Sequence, residues 1–397
     1  MAQFRGSVHW PVTVELNPGL DGAVTNETAI GYVDGQAGRL NYRGYSIEQL
    51  CEHATFEEVT HLLVFGRLPD RAAFQRFKRD LASSREIPGG VIAALRQLPR
   101  DANPMAALQA GAAALGAFDP HADDGATHMA DPANAVEGET RTALRIVSQL
   151  ATVGAAIARL RTGGHLVAPD PELGHTANFL YMLTGNRPDA LTERVMDVAM
   201  ILHADHGMNA STFTGMVVHS SMSDMYSSVA AAIGSLKGPL HGGANERALA
   251  ELMTIQGPED ARRYVTETLD AGRRVLGFGH RVYKAYDPRA TVFRSYAKQL
   301  CEQKHESKLF ATAEAVEKAV IERLGGKGIF PNVDFYSGIV YHELGIDTRL
   351  FTVLFAVARV SGWVARILEY LPDNRIFRPR AVYTGPETLS YTPIDQR

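Results

Sequence analysis

Ala143-Leu-Arg-Ile146-Val-Ser-Gln-Leu150-Ala-Thr-Val153-Gly-Ala-Ala-Ile157-Ala-Arg-Leu160 decides the fold class. Residues 143, 146, 150, 153, 157 and 160 are all apolar and recur at spacings of three and four. That pattern draws a single apolar stripe down a long helix. Gly163-Gly164 ends it. Downstream, the same logic places helices near 172–184, 190–203 and 211–235, with another from Gly242 to Met253. Upstream, Asp119 to Asn134 is polar, holds Pro120, Gly125 and Pro132, and reads as a loop. Pro104 to Phe118 is rich in Ala and Gly, which lets helices approach closely. Asp70 opens a helix to about Ser84, and Ser46/Gln49 and Thr55/Glu58 form two capping-box signatures, the second helix closing at Gly66. The first 45 residues hold the clear β region: 28–33 and 39–42 flank Asp34-Gly35, a favoured hairpin turn. No βαβ alternation appears, which argues against a doubly wound sheet. The expectation is a large, mostly α protein.

Composition narrows the function. At about 150 residues per domain, 397 residues imply two or three domains, and a 45% hydrophobic, 21% charged chain is ordinary for a globular protein. A net charge of −4 points to neither nucleic acid nor a membrane surface, so any anion site must be local. Cys51 and Cys301 lie far apart and make neither a disulfide framework nor a metal motif, which fits a reducing cytoplasm. The N-terminus lacks the charged and apolar regions of a targeting segment. The most apolar stretch, Leu350 to Ala365, is interrupted by Arg359 and reads as a buried helix rather than a membrane span. No repeat, low-complexity segment or linker marks a domain border.

Four clusters carry chemistry. His203-Ala-Asp205-His206 places two imidazoles on one helical face, but no third ligand at a recognised spacing follows, so a metal is not expected. In Lys237-Gly-Pro-Leu-His241-Gly-Gly-Ala-Asn245, His241 sits where a helix begins, and the positive end of the dipole disfavours imidazolium. A neutral histidine there is a hydrogen-bond donor for an oxygen gaining negative charge. A simple capping histidine is the plainer alternative. Gly277-Phe-Gly279-His280-Arg281-Val-Tyr-Lys284-Ala-Tyr-Asp287-Pro-Arg289 packs a histidine, three cations and an acid beside two glycines, a combination suited to an anionic carbonyl substrate. Pro331-Asn-Val-Asp334-Phe-Tyr-Ser337-Gly338 puts a carboxylate before a helix expected from Ser337 to Leu344. Asp334 is either its N-cap or a base whose pKa aromatic neighbours raise. Arg359 in an apolar helix needs an anionic partner, and Arg375, Arg378 and Arg380 read either as a solvated run or as a carboxylate clamp. Neither a Gly-x-Ser-x-Gly elbow nor a phosphate-binding loop is present.

Taken in order, these clusters resemble the citrate synthase family, and so does the early Asp34-Gly…Tyr42-Arg-Gly-Tyr45-Ser-Ile-Glu48. The resemblance spans nearly the whole chain. It implies an all-α fold of about twenty helices with a short N-terminal β-hairpin. The large domain would span 1–242 and return at 346–397, with a small domain at 243–345 and the active site in the cleft between. It implies a homodimer acting in the tricarboxylic acid cycle, without cofactor and without the control of larger hexameric relatives. In the implied chemistry Asp334 takes a proton from acetyl-CoA, His241 stabilises the enolate and His280 polarises the ketone of oxaloacetate. His206, Arg289, Arg359 and, from the other subunit, Arg378 hold the carboxylates. Lys284, Arg281 and Lys327 face the CoA phosphates, and His203 is a structural partner of His206. Two alternatives share the motif set: a 2-methylcitrate synthase using propionyl-CoA, since one methylene is worth only ~1–3 kcal/mol of discrimination, and a non-catalytic relative.

Overall fold

The apolar helix interrupted by an arginine is the centre of the molecule. In a computed structural model, which describes residues 6–9, 13–123, 132–305, 307–386 and 388–397, Phe351–Tyr370 forms a helix buried at every position from Phe351 to Leu368. It is long and apolar enough to cross a membrane, yet 94% of its most apolar window lies inside the protein. It packs against the helices Phe56–Phe65, Pro132–Arg161, Ala190–His203, Ala210–Ser220 and Met225–Leu236. One close approach depends on a missing side chain. A Cβ on Gly362 would lie 2.2 Å from the carbonyl oxygen of Ala204, so only glycine lets this helix reach the 204–206 turn.

Sixteen α-helices and six 3₁₀ turns are present among the described residues, with five short strands. Residues 28–375 form one compact unit; residues up to 27 and from 376 onward form another, in which Gly6–His9 pairs antiparallel with Thr13–Leu16. In the larger unit Gly31–Asp34, Arg39–Tyr42 and Tyr45–Ser46 make a three-stranded antiparallel sheet. Asp34 pairs with Arg39, and its Oδ1 accepts from the amides of Gln36 and Ala37, so the turn is four residues long and built on the aspartate side chain.

Local chemistry accounts for most helix ends. Ser46, Asp70, Asn103, Asp189, Asn209 and Asp224 each accept a backbone amide of the helix they open, and Thr55 and Glu58 complete a reciprocal capping box. Three expectations need correction. The helix expected over 211–235 is two helices, Ala210–Ser220 and Met225–Leu236. Ser221 and Met222 turn the chain, Met222 at a φ of 65°, and Asp224 caps the restart. The helix expected from Gly242 begins at Ala244, and the one expected from Ser337 begins at Val333 because Asn332, not Asp334, is its cap. The stretch 119–134 lies partly outside the described residues, and its end is already helical from Pro132. Helices Gly89–Gln97, Ala261–Asp270, Pro288–Gln303 and Ser307–Leu324 add to those expected.

Candidate active site

The His280 segment is stitched to the Asp334 segment through backbone. Gly279 N donates to the Phe330 carbonyl at 2.8 Å, Asn332 N donates to the Gly277 carbonyl at 2.9 Å, and Asn332 Nδ2 donates to the Gly279 carbonyl at 2.9 Å. Gly277 and Gly279 both have φ of 79°, and a Cβ on Gly277 would fall 2.8 Å from the Cβ of Phe335. Both glycines serve the left-handed turn, and Gly277 also permits the close approach. His280 Nδ1 accepts from the amides of Val282 and Tyr283 at 3.0 and 3.1 Å. Two N–H donors on one nitrogen leave the proton on Nε2, which is then a donor. Burial and the neighbouring Arg289 hold the ring down at about 4, so it is neutral at pH 7.

His206 stands edge-on to His280, ring centroids 5.3 Å apart, and its Nε2 lies 3.2 Å from the Tyr283 hydroxyl. It sits just after the turn held by Asp205, whose carboxylate binds Arg366 at 2.7 Å through both oxygens and accepts Gly207 N at 3.1 Å. Burial, then Arg289, keeps His206 uncharged. Arg289 is buried and chelated by Asp287, Nε to Oδ1 at 3.0 Å and Nη2 to Oδ2 at 2.8 Å. Asp287 also caps the helix that Pro288 begins. Arg359, also buried, donates Nε to the His203 carbonyl, stacks its guanidinium 4.6 Å from the Phe355 ring centre, and leaves Nη2 without a partner. Burial lowers it to about 10. A buried guanidinium with a spare donor, and with no carboxylate in hydrogen-bond reach among the described residues, is arranged for an anionic ligand.

His241 lies on the turn before the helix Ala244–Met253. Its Nε2 receives the backbone N–H of Ser211 at 3.2 Å, a free amide in the first turn of Ala210–Ser220, and lies 2.8 Å from the Ser211 hydroxyl. An amide donor on Nε2 leaves the proton on Nδ1. Burial and then Arg359 hold this ring too at about 4. Trp363 Nε1 donates to the same Ser211 hydroxyl at 3.2 Å, which ties the pair to the central helix.

Asp334 occupies the first turn of Val333–Glu343, and its carboxylate has no hydrogen-bond partner among the described residues. Burial pushes it up to about 7, with Arg289 opposing. The arrangement thus offers one carboxylate poised near neutrality, two neutral imidazoles with known donor nitrogens, and two buried guanidiniums. These are the parts needed to remove a proton next to a carbonyl and steady the oxygen that receives charge.

Arg289 acts electrostatically on His206, His280 and Asp334, and Arg359 on His206 and His241, so six of the expected residues share one field. Arg281, Lys284 and Lys327 are exposed; a Cβ on Gly328 would lie 3.1 Å from the Lys284 carbonyl, which puts the Lys327 turn beside Lys284. Arg378 is exposed in the unit formed by the two termini. His203 does not pair with His206. It is packed between Phe355, at 4.3 Å, and Phe293, at 5.6 Å, with neither ring nitrogen satisfied. No group of three metal-ligating side chains occurs among the described residues. Sequence reasoning missed Ser211, Tyr283 and the Asp205–Arg366 pair. Ser211 follows the His203–His206 motif closely and Asp205 lies within it, but their partners lie 30 and 161 residues away. A cavity of about 300 Å³ lined by Arg96, Arg100, Arg161 and His165 shares no residue with this group.

Comparison with known proteins agrees with the geometry. Residues 19–380 match the family model described as citrate synthase, C-terminal domain. The chain is 43% identical to the citrate synthase of Deinococcus radiodurans over 96% of this chain and 98% of that one. It is also 43% identical to that of Haloferax volcanii, over 96% and 99%. Among solved structures it is similar to citrate synthase from Pyrobaculum aerophilum, with a TM-score of 0.94 and 41% identity over 100% of this chain and 98% of that one. It is likewise similar to the Thermoplasma acidophilum enzyme in ternary complex with carboxymethyl coenzyme A and oxaloacetate, with a TM-score of 0.88 and 35% identity over 96% and 100%.

Proposed function

The chain belongs to the citrate synthase family, and from that premise we propose that Asp334, His241 and His280 carry the condensation of acetyl-CoA with oxaloacetate. The observation that supports this reading is the pair of fixed tautomers, together with a carboxylate raised to about 7. Asp334 takes a proton from the methyl carbon of acetyl-CoA. Alone it is far too weak a base, so the barrier falls only if the developing enolate oxygen is stabilised, and His241 Nδ1–H donates to it. The nucleophilic carbon then attacks the ketone carbon of oxaloacetate, forming the new C–C bond. The ketone oxygen takes up charge and receives the Nε2 proton of His280. Water then cleaves the thioester of citryl-CoA, giving citrate and CoA.

The carboxylates of oxaloacetate go to His206, Arg289 and Arg359, whose Nη2 is otherwise unpartnered. Arg378 of a second copy completes the site in a homodimer. Lys284, with Arg281 and Lys327, receives the CoA phosphates. No cofactor is required beyond the two substrates. The segment 243–345 carries His280, Arg289 and Asp334 and moves as a small domain against 1–242 and 346–397, closing the cleft and excluding water. The setting is cytoplasmic. Acetyl-CoA rather than propionyl-CoA is the substrate, as the names of the relatives support.

The test is release of free CoA thiol from acetyl-CoA and from propionyl-CoA, each with and without oxaloacetate, in the native enzyme and in Asp334→Asn. Oxaloacetate-dependent release favouring acetyl-CoA is expected from the native chain. Asp334→Asn should lose turnover by at least about a hundredfold while binding oxaloacetate normally in calorimetry. Turnover near the native rate in that variant removes Asp334 from the role of base.

A further inference from the structure

Glu317 lies outside every motif the chemistry uses, yet it joins the two segments that carry the chemistry. It sits on the helix Ser307–Leu324, 9% exposed. Tyr286 donates its hydroxyl to Oε1 at 2.7 Å, and Tyr336 donates its hydroxyl to Oε2. Arg294 Nε lies 3.4 Å from the same Oε2. Tyr286 directly precedes Asp287, the residue that both caps the next helix and chelates Arg289. Tyr336 is two residues after Asp334, wholly buried, on the same helix.

We propose that Glu317 is a positioning residue for the condensation: its single carboxylate fixes Arg289, through Tyr286 and Asp287, and Asp334, through Tyr336, at one set separation. Three points carry this. First, both carboxylate oxygens accept O–H donors; an amide in its place offers one acceptor oxygen and loses one arm. Second, the Asp334 carboxylate has no hydrogen-bond partner of its own among the described residues, so its position rests on the helix that bears it. Asn332 ties the start of that helix to Gly277 and Gly279, and Tyr336 anchors its next turn to Glu317 by a directional bond. Third, the arms are separable, because one leads to a group that binds oxaloacetate and the other to the group that takes the proton. Fixing a base and a binding group relative to each other matters because a misplacement of about 1 Å can cost a hundredfold in rate.

This rests on the roles assigned above to Asp334 and Arg289, and the experiment keeps the two readings apart. Tyr336→Phe, Tyr286→Phe and Glu317→Gln are compared with Asp334→Asn by steady-state CoA release, oxaloacetate titration calorimetry and thermal melting. Tyr336→Phe should lower kcat between about ten- and a hundredfold with oxaloacetate Kd unchanged. Tyr286→Phe should raise oxaloacetate Kd about tenfold with kcat nearly retained. Glu317→Gln should show both effects. Should Glu317→Gln fail to fold, the two phenylalanine variants decide the matter alone. Folded variants that melt earlier but keep native kcat and Kd overturn the proposal and leave Glu317 a structural brace. Native turnover in Asp334→Asn instead overturns the assignment of the base, whatever the tyrosine variants show.

Discussion

Asp334 and its cap illustrate how one residue settles the role of another. Asn332 accepts the Asp334 amide at 2.9 Å, so the aspartate side chain is released from capping and left among buried groups. The choice between cap and base, open on spacing alone, is therefore made by a neighbour two residues upstream. Burial pushes Asp334 up from 3.8 to about 7, and two predictions follow with opposite signs. Because the ionised form is the base, kcat/KM for acetyl-CoA should fall about tenfold per pH unit below an apparent pKa near 7. Stability should move the other way. The folded state binds this proton more tightly than the unfolded chain, so the site destabilises the fold fully above pH 7, progressively less as pH falls toward 3.8, and not at all below it. Asp334→Asn does not titrate. It should melt higher than the native chain at pH 8, by a stability difference on the order of a few kcal/mol at most, and the gap should close by pH 4. Melting curves of both proteins across that range check it. A native chain that melts higher than the variant at pH 8 would mean that Arg289 outweighs burial at this site.

Elements that obey local rules were readable, and those that depend on distant partners were not. The capped starts at Ser46, Thr55 and Asp70 match their spacing signatures because the cap and the amide it satisfies lie within one turn. The break at Ser221–Asp224 was not readable. Apolar periodicity continues through it, and what separates the two helices is a left-handed Met222 followed by a new cap. Likewise His280 and His241 stood out as residues, but their tautomers are set by amides of Val282, Tyr283 and Ser211 that only the fold delivers. The central helix is the clearest case of an element serving the site. Gly362 lets it approach the turn of Ala204 and Asp205, and Arg366 one turn on grips the Asp205 carboxylate. Gly362→Ala gains about 1 kcal/mol of helix propensity but places a methyl 2.2 Å from a carbonyl oxygen. The turn must shift, and His206 shifts with it. The variant should melt lower despite its better propensity, and oxaloacetate Kd should rise about tenfold or more, both read on one preparation by calorimetry.

At the scale of the whole molecule, the mostly helical class and the buried 351–370 helix could be read from periodicity. The family was legible in ordered motifs spread over the sequence, and the pairing of two chains around a site is what that resemblance implies and what we propose. No local spacing contains that information, because a residue contributed by another subunit has no neighbour in its own chain to reveal it. Arg378 is proposed as such a residue: it is exposed in the unit formed by the termini, and its assignment to the oxaloacetate carboxylate rests on a second copy supplying it. The assignment can be decided by complementation. Asp334→Asn with native Arg378, and Arg378→Ala with native Asp334, should each be nearly inactive as homodimers. Mixed after dissociation, or co-expressed in equal amounts, they form hybrids in half of the dimers. If Arg378 acts across the two-fold axis, each hybrid holds one site with both defects and one site wholly native. Activity should then recover to about a quarter of the native level. If Arg378 acts within its own chain, every site in every dimer carries one defect and mixing restores nothing. The readout is CoA release before and after mixing, with gel filtration to establish that exchange took place. Recovery makes the active site a property of the dimer; its absence, with exchange demonstrated, assigns all four clamp residues to one chain.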